Sequence, residues 1–178
     1  MSALRSYCLL WCLVVISSSK IRKKVDCSFR TGPFSGMLQS LRHDYSKVKT
    51  VLHDHDTVHT TSLLTGDLLD EMLGPRGCQT TVQLMEKYLS EWLPKADRLY
   101  LYDNQTIRTL DRLGGTLNGL MKDMVQCPML ICGAPSSAMM GLQSRENKLP
   151  GNAGVYKGLA EIDLLGNYLE LYMSKFRR

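Results

Sequence analysis

The chain has 178 residues, 44% of them hydrophobic and 22% charged, with 22 Lys and Arg against 17 Asp and Glu. That length suits one ordinary domain rather than a tandem of enzymatic domains, and the apolar fraction excludes a disordered chain. The net charge of +5 is mild, and its basic run, Lys20-Ile21-Arg22-Lys23-Lys24, sits near one end. It reads as a solvated tail, and no nucleic-acid partner is expected.

Met1–Ser19 reads as a secretory signal peptide. Arg5 supplies the positive start, Tyr7–Ile16 is an uncharged apolar run, and Ser17, Ser18 and Ser19 are the small residues that precede a cut. The run is too short to span ~30 Å of hydrocarbon, which needs about 20 apolar residues in a helix. No later stretch is long and apolar enough to do so. Residues 20–178 are therefore expected to form one secreted, extracellular domain without membrane insertion. Only Arg5 leaves with the signal, so the formal charge of +5 falls by one.

Cys8 and Cys12 leave with the signal too, and Cys27, Cys78, Cys127 and Cys132 remain. In an oxidising compartment they imply two disulfides, with three pairings open. A Cys127–Cys132 bridge closes only a small loop. Bridges from Cys27 and Cys78 into the Cys127/Cys132 segment each close a long one, worth about 4 kcal/mol in the chain-entropy model. Zinc is the competing use, but no C-x2-C pair is present and extracellular thiols oxidise, so no metal is expected.

The remainder reads as helices. Leu38, Leu41, Tyr45, Val48 and Leu52 step by three and four residues, with Ser35 as the expected N-cap after Pro33. A shorter helix is expected near Leu63–Met72, ended by Gly74-Pro75. A third spans about Thr80–Leu93, with Cys78, Val82, Met85, Leu89 and Trp92 on one face, and stops before Pro94. A fourth spans about Thr106–Val125, with Ile107, Leu110, Leu113, Leu117, Met121 and Met124 inward. Its interior glycines, Gly114, Gly115 and Gly119, each cost about 1 kcal/mol against Ala. Ser137–Asn147 is ambiguous. One last helix, about Val155–Lys175, carries Val155, Leu159, Ile162, Leu165, Leu169, Tyr172 and Phe176. No stretch alternates strictly and no repeat appears, so the fold class is all-α, a bundle of the four-helix type.

Catalytic signatures are missing. Gly114–Gly119 suggests a phosphate loop, but Leu120 and Met121 stand where its lysine and hydroxyl belong. There is no G-x-S-x-G elbow and no H-E-x-x-H pair. No enzymatic activity and no cofactor are expected. The cluster His53-Asp54-His55-Asp56-Thr57-Val58-His59 reads as an exposed loop past the first helix, against the alternatives of receptor contact or metal binding. Asn104-Gln105-Thr106 is an N-glycosylation sequon in the loop expected before the fourth helix, where Asn104 could instead help cap that helix.

Met37-Leu38-Gln39-Ser40-Leu41-Arg42, continuing through Tyr45-Ser46-Lys47-Val48-Lys49-Thr50, resembles the first helix of the interleukin-10 family. Leu63-Leu64 through Leu68-Leu69, then Gly77-Cys78, is similar to its second helix and the cysteine beyond. Gly154 to Asp163, with Asn167-Tyr168-Leu169-Glu170 and Tyr172, tracks the family's last helix almost position by position. The likeness covers essentially the whole chain after residue 19, and is weakest between Pro94 and Asn104 and between Pro135 and Asn152. Lys122-Asp123-Met124, Gln126-Cys127-Pro128 and Cys132-Gly133 resemble most the branch encoded by primate cytomegaloviruses. Pro128-Met129-Leu130-Ile131 separates the two cysteines, one residue fewer than in cellular members.

The resemblance implies disulfides Cys27–Cys127 and Cys78–Cys132 and a V-shaped, intertwined, domain-swapped homodimer. The last helices of one chain would complete the bundle of the other, through a linker near Gly133–Ser137 too short to fold back. It implies binding to the interleukin-10 receptor's high-affinity chain and shared second chain, with immunosuppressive Janus kinase–STAT signalling as a viral mimic. Residues Gln39, Arg42, Ser46, Lys49 and His53 form a polar stripe beside the buried one; periodicity reads it as a solvated face, whereas the resemblance makes Arg42, Lys49 and His53 receptor-binding. By the same likeness, Lys157, Glu161, Asp163 and Glu170 of the other chain's last helix supply the complementary charges. Gln39, where cellular members carry arginine, Ala160, which replaces a polar residue, and His53, which replaces a glutamine, depart from the pattern. The competing readings are a carrier of small apolar ligands, using Met121, Met124, Met129, Met139 and Met140, and a receptor-binding decoy that does not signal.

Overall fold

The computed structural model describes residues 32–98, 103–125 and 136–175. The expectations for Met1–Ser19, for Cys27, Cys127 and Cys132, and for most of the Gly133–Ser137 linker lie outside these residues. Every regular element among the described residues is helical, and no strand occurs among them.

Helix α1 is Gly32–His55. It buries Phe34, Leu38, Leu41, Tyr45, Val48 and Leu52, the expected stripe with Phe34 added. The helix starts before Ser35, so Ser35 is not its cap. Pro33 sits in the first turn, where its preset φ suits a helix and its missing N–H costs nothing, because those amides have no partner within the helix. Leu63 and Leu64 are buried but precede α2, Gly66–Leu73, which ends at Gly74 as expected.

Helix α3, Gly77–Lys87, passes into a π-helical turn, Tyr88–Trp92, and then α4, Leu93–Arg98. The expected stop before Pro94 does not occur. The π turn carries the Leu93 N–H back to the Tyr88 carbonyl, and this wider turn precedes a proline that has no N–H to place. The chain therefore stays helical through Pro94. Helix α5, Asn104–Val125, buries Leu110, Leu113, Leu117, Leu120 and Met124, while Ile107 and Met121 are half-buried at its margin. Asp103 is its cap, accepting from the Gln105 and Thr106 amides at 2.9 and 2.7 Å. Asn104 is instead the exposed first residue of the helix.

Ser137–Glu146 is helical, as α6, with Ser136 as N-cap accepting from the Met139 amide. The single last helix expected is two: α7, Ala153–Ala160, and α8, Ile162–Ser174, separated at Glu161 with φ −95° and ψ 15°. Two tertiary hydrogen bonds take helix carbonyls there, and a third holds the Glu161 side chain. Tyr88 donates to the Gly158 carbonyl at 2.7 Å, Tyr45 to the Ala160 carbonyl at 2.5 Å, and the Leu64 amide to Glu161 at 2.9 Å.

The core forms where α1 packs on α5 and, on its other side, on α7 and α8. Leu159, Leu165, Leu169 and Tyr172 are at most 1% exposed, and they are covered by elements of their own chain. Close packing sets Gly77, where a Cβ would stand 1.9 Å from the Met72 carbonyl oxygen, and Gly158, where one would stand 2.4 Å from the Trp92 ring. Cys78, at the start of α3, is disulfide-bonded.

Candidate functional site

Arg42, Lys49 and His53 lie on one face of α1, separated by two helical turns and then one. That face runs beside α8, whose Asp163, Asn167 and Glu170 recur at steps of four and three and so also share a face. The two helices are laced together there. The Arg42 guanidinium donates to Glu170 Oε2 at 2.5 Å and to Asn167 Oδ1 at 3.1 Å, and the Lys49 ammonium reaches Asp163 Oδ2 at 3.1 Å. All four charged side chains keep between 41% and 51% of their surface in water. Ion pairs so exposed contribute ~0–1 kcal/mol each to stability, so these charges are not what holds the bundle together.

His53 continues the ladder through a phenol. Its Nε2 lies 3.1 Å from the Tyr45 hydroxyl, which itself donates to the Ala160 carbonyl. Tyr45 has one proton to give and gives it to Ala160, so His53 is the donor in the first contact. Burial pushes the Tyr45 phenol far above its ordinary range, and the Asp163 and Glu161 carboxylates push it further, so it stays protonated.

Lys157 and Glu161 stand apart from this surface. Lys157 lies 3.0 Å from Asp56 and 3.7 Å from Glu161, with these side chains between 5% and 12% exposed. Glu161 accepts from the Ser62 hydroxyl at 2.7 Å, from the Leu63 amide at 3.0 Å and from the Leu64 amide at 2.9 Å. Of the seven residues assigned to the receptor from sequence, the structure brings five together on a wet surface. The other two are turned onto the loop between α1 and α2. Asn167, Tyr45 and Asp56 were missed. Asn167 could have been found from its spacing to Asp163 and Glu170; Tyr45 could not, because it reads as core.

The histidine cluster does not lie wholly past α1, since His53 and His55 occupy its last turn. His55 Nδ1 lies 2.8 Å from the Val51 carbonyl, and Asp56 is taken by Lys157 and the Val58 amide. Among the described residues no group of three or more His, Cys, Asp or Glu is placed to hold a metal ion. Met129 lies outside the described residues, and among them the methionines do not converge: Met124 is core, Met121 borders an open cleft of about 640 Å³ with Leu89 and Asn118, and Met139 and Met140 border another. Among the described residues no helix is long and apolar enough to cross a membrane.

Two further clusters fix α6. Glu71 accepts from the Ala138 amide at 2.6 Å and the Ser137 amide at 3.2 Å. Burial raises its carboxyl pKa, but these amides and the Ser136 and Ser137 hydroxyls outweigh burial and hold it below the usual range. Lys87, 4% exposed at its side chain, lies 2.7 Å from Glu146 and 2.8 Å from Glu91, with its ammonium 5.4 Å from the Trp92 ring centre.

A helical bundle whose organised polar surface is an exposed ladder of charge, rather than a cavity holding reactive groups, has the build of a helical cytokine. The interleukin 10 family model matches residues 4–175. Interleukin-10 of Sus scrofa is 31% identical over 173 residues, which cover 95% of each chain. Interleukin-10 of Vulpes vulpes is 32% identical over 150 residues, 84% of this chain and 81% of that one. The chain belongs to the interleukin 10 family. It is a cytokine and not an enzyme.

Proposed function

We propose that the protein is a secreted, immunosuppressive cytokine that binds the interleukin-10 receptor as a homodimer, joins its high-affinity and shared second chains, and triggers Janus kinase–STAT signalling. The observation that carries this reading is the exposed ladder of Arg42, Glu170, Asn167, Lys49 and Asp163 between α1 and α8. Arg42, Lys49, His53, Asp163 and Glu170 are the proposed receptor contacts. The relatives named interleukin-10 support the receptor assignment. The spacing of Cys127 and Cys132 supports a viral mimic, and Met1–Ser19 supports export through a cleaved signal.

In the homodimer, α6, α7 and α8 are exchanged, and the contacts that α7 and α8 make with α1 are re-formed between chains. Each dimer then presents two ladders to tethered receptors, which raises avidity. The disulfides are Cys27–Cys127 and Cys78–Cys132, and a glycan is carried on Asn104. Sedimentation at working dilution tests the dimer, and non-reducing peptide maps test the bridges; a monomer that signals, or a Cys27–Cys78 peptide, refutes them.

The double variant Arg42→Ala, Lys49→Ala tests the site. Helicity and oligomeric state are expected to survive, because exposed pairs contribute little to stability. Truncating charge pairs that become desolvated at an interface costs ~2–5 kcal/mol, so the Kd for the receptor ectodomain by surface plasmon resonance should rise at least about 30-fold. STAT phosphorylation in monocytes should fall in step, and receptor blockade should abolish it for the parent protein. Unchanged affinity removes this face from the site, and binding without STAT phosphorylation favours a decoy.

A further inference from the structure

We infer that Glu161 and Lys157 serve the receptor site as positioning residues: they fix the loop between α1 and α2 and touch no receptor atom. This inference rests on the receptor reading above. A carboxylate offers about four lone-pair positions. In Glu161, Oε1 takes the Ser62 hydroxyl at 2.7 Å and the Leu63 amide at 3.3 Å, while Oε2 takes the Leu63 and Leu64 amides at 3.0 and 2.9 Å. Lys157 stands 3.7 Å from Oε1 as well. Three donors of the loop and the Lys157 ammonium thus already surround the carboxylate, and the group is nearly out of reach of solvent.

The same arrangement pins the loop at both ends. Asp56, 5% exposed, binds Lys157 through Oδ2 and accepts from the Val58 amide through Oδ1 at 3.0 Å, which fixes the exit from α1. Glu161 fixes the return at Ser62–Leu64. Between the pins, Thr57, His59 and Thr60 are exposed. The loop leaves α1 beside His53 and returns to a residue two positions before Asp163, so it borders the charge ladder at both ends. A loop left loose must be ordered when a partner docks, and that entropy weakens binding without altering any contact.

The test compares Glu161→Ala and Glu161→Gln with the Arg42→Ala, Lys49→Ala double variant. Amide hydrogen exchange is measured on the free proteins, and binding to the receptor ectodomain by surface plasmon resonance. Glu161→Ala should speed exchange at Leu63 and Leu64 by about tenfold or more and weaken binding by about the same factor. Glu161→Gln keeps one acceptor oxygen for the two amides, so protection and affinity should return together; it also serves if the alanine variant fails to fold. Glutamine binding as weakly as alanine while its loop amides stay protected would mean a direct charge contact and overturn the inference. Faster loop exchange in Glu161→Ala with unchanged affinity would overturn it too. Unchanged affinity in the Arg42, Lys49 double variant strikes instead at the receptor reading, and the exchange result on the free protein is independent of it.

Discussion

Gly158→Ala puts the packing of α7 against the π turn to the test. A Cβ at this position would lie 2.4, 2.6 and 2.6 Å from three ring carbons of Trp92. Carbon atoms settle at ~3.5–4.0 Å, so the overlap is roughly 1 Å at each of the three. Trp92 has little freedom to retreat. It is fully buried, its Nε1 donates to Glu146 at 2.8 Å, Lys87 lies near its ring, and Tyr88 packs edge-on at 4.6 Å. Overpacking of this kind costs ~1–3 kcal/mol, and the constraints on Trp92 argue for the upper end. Replacing a helical glycine with alanine returns about 1 kcal/mol of propensity, which leaves a net loss of about 2 kcal/mol. For a domain of this size that lowers Tm by ~4–8 °C. Of the two tryptophans, Trp11 precedes residue 20, so fluorescence of residues 20–178 reports Trp92 without interference. Thermal unfolding followed by circular dichroism and by this emission checks both parts. A variant with a higher midpoint and unchanged emission would mean that only helix propensity acts at the site, and the close approach would be refuted.

Glu71→Gln should cost about 1 kcal/mol at neutral pH, by removing a negative charge from the start of α6. Because the folded carboxyl titrates below its ordinary value, that contribution is complete above the usual glutamate pKa and disappears as pH falls through the lower folded value. Urea midpoints of the two proteins should therefore converge in acid, and a gap that is independent of pH would contradict this. Lys87→Met strands Glu146 in a buried setting and should cost ~3 kcal/mol or more, part of it recovered by adding Glu146→Gln; chemical denaturation of the double-mutant cycle measures both. Asp103→Ala should speed exchange at the Gln105 and Thr106 amides, whereas Asp103→Asn should keep them protected.

Much of the bundle could be read from periodicity, because burial on one side of a helix writes itself into every third or fourth residue. The stripe from Leu38 to Leu52 and the series from Leu110 to Met124 are of this kind. The break at Glu161 could not be read, since Leu159, Ile162, Leu165 and Leu169 keep helical spacing straight across it. What takes the helix carbonyls is supplied from far away in sequence, by the Tyr45 and Tyr88 hydroxyls. Pro94 misled in the opposite sense, because the rule that proline ends a helix takes no account of a π turn placed just ahead of it. At the site, the polarity of Arg42 and Lys49 was plain, but spacing along one helix does not say which residues of another face it. Nor does it separate Asp163, which is wet, from Glu161, two positions earlier and enclosed.

Because Glu170 and Asp163 already clasp Arg42 and Lys49 in the free molecule, two long and otherwise wandering side chains arrive at any encounter aimed and stilled. The rotamer freedom that a lone surface arginine or lysine would surrender at docking, up to ~2 kcal/mol each, has largely been given up during folding. A partner therefore meets an ordered alternation of plus and minus, and must match its order as well as its total charge. A ligand bearing one sign throughout would gain at one rung of the ladder and lose at the next, which makes the pattern a filter against indiscriminate polyanions and polycations alike.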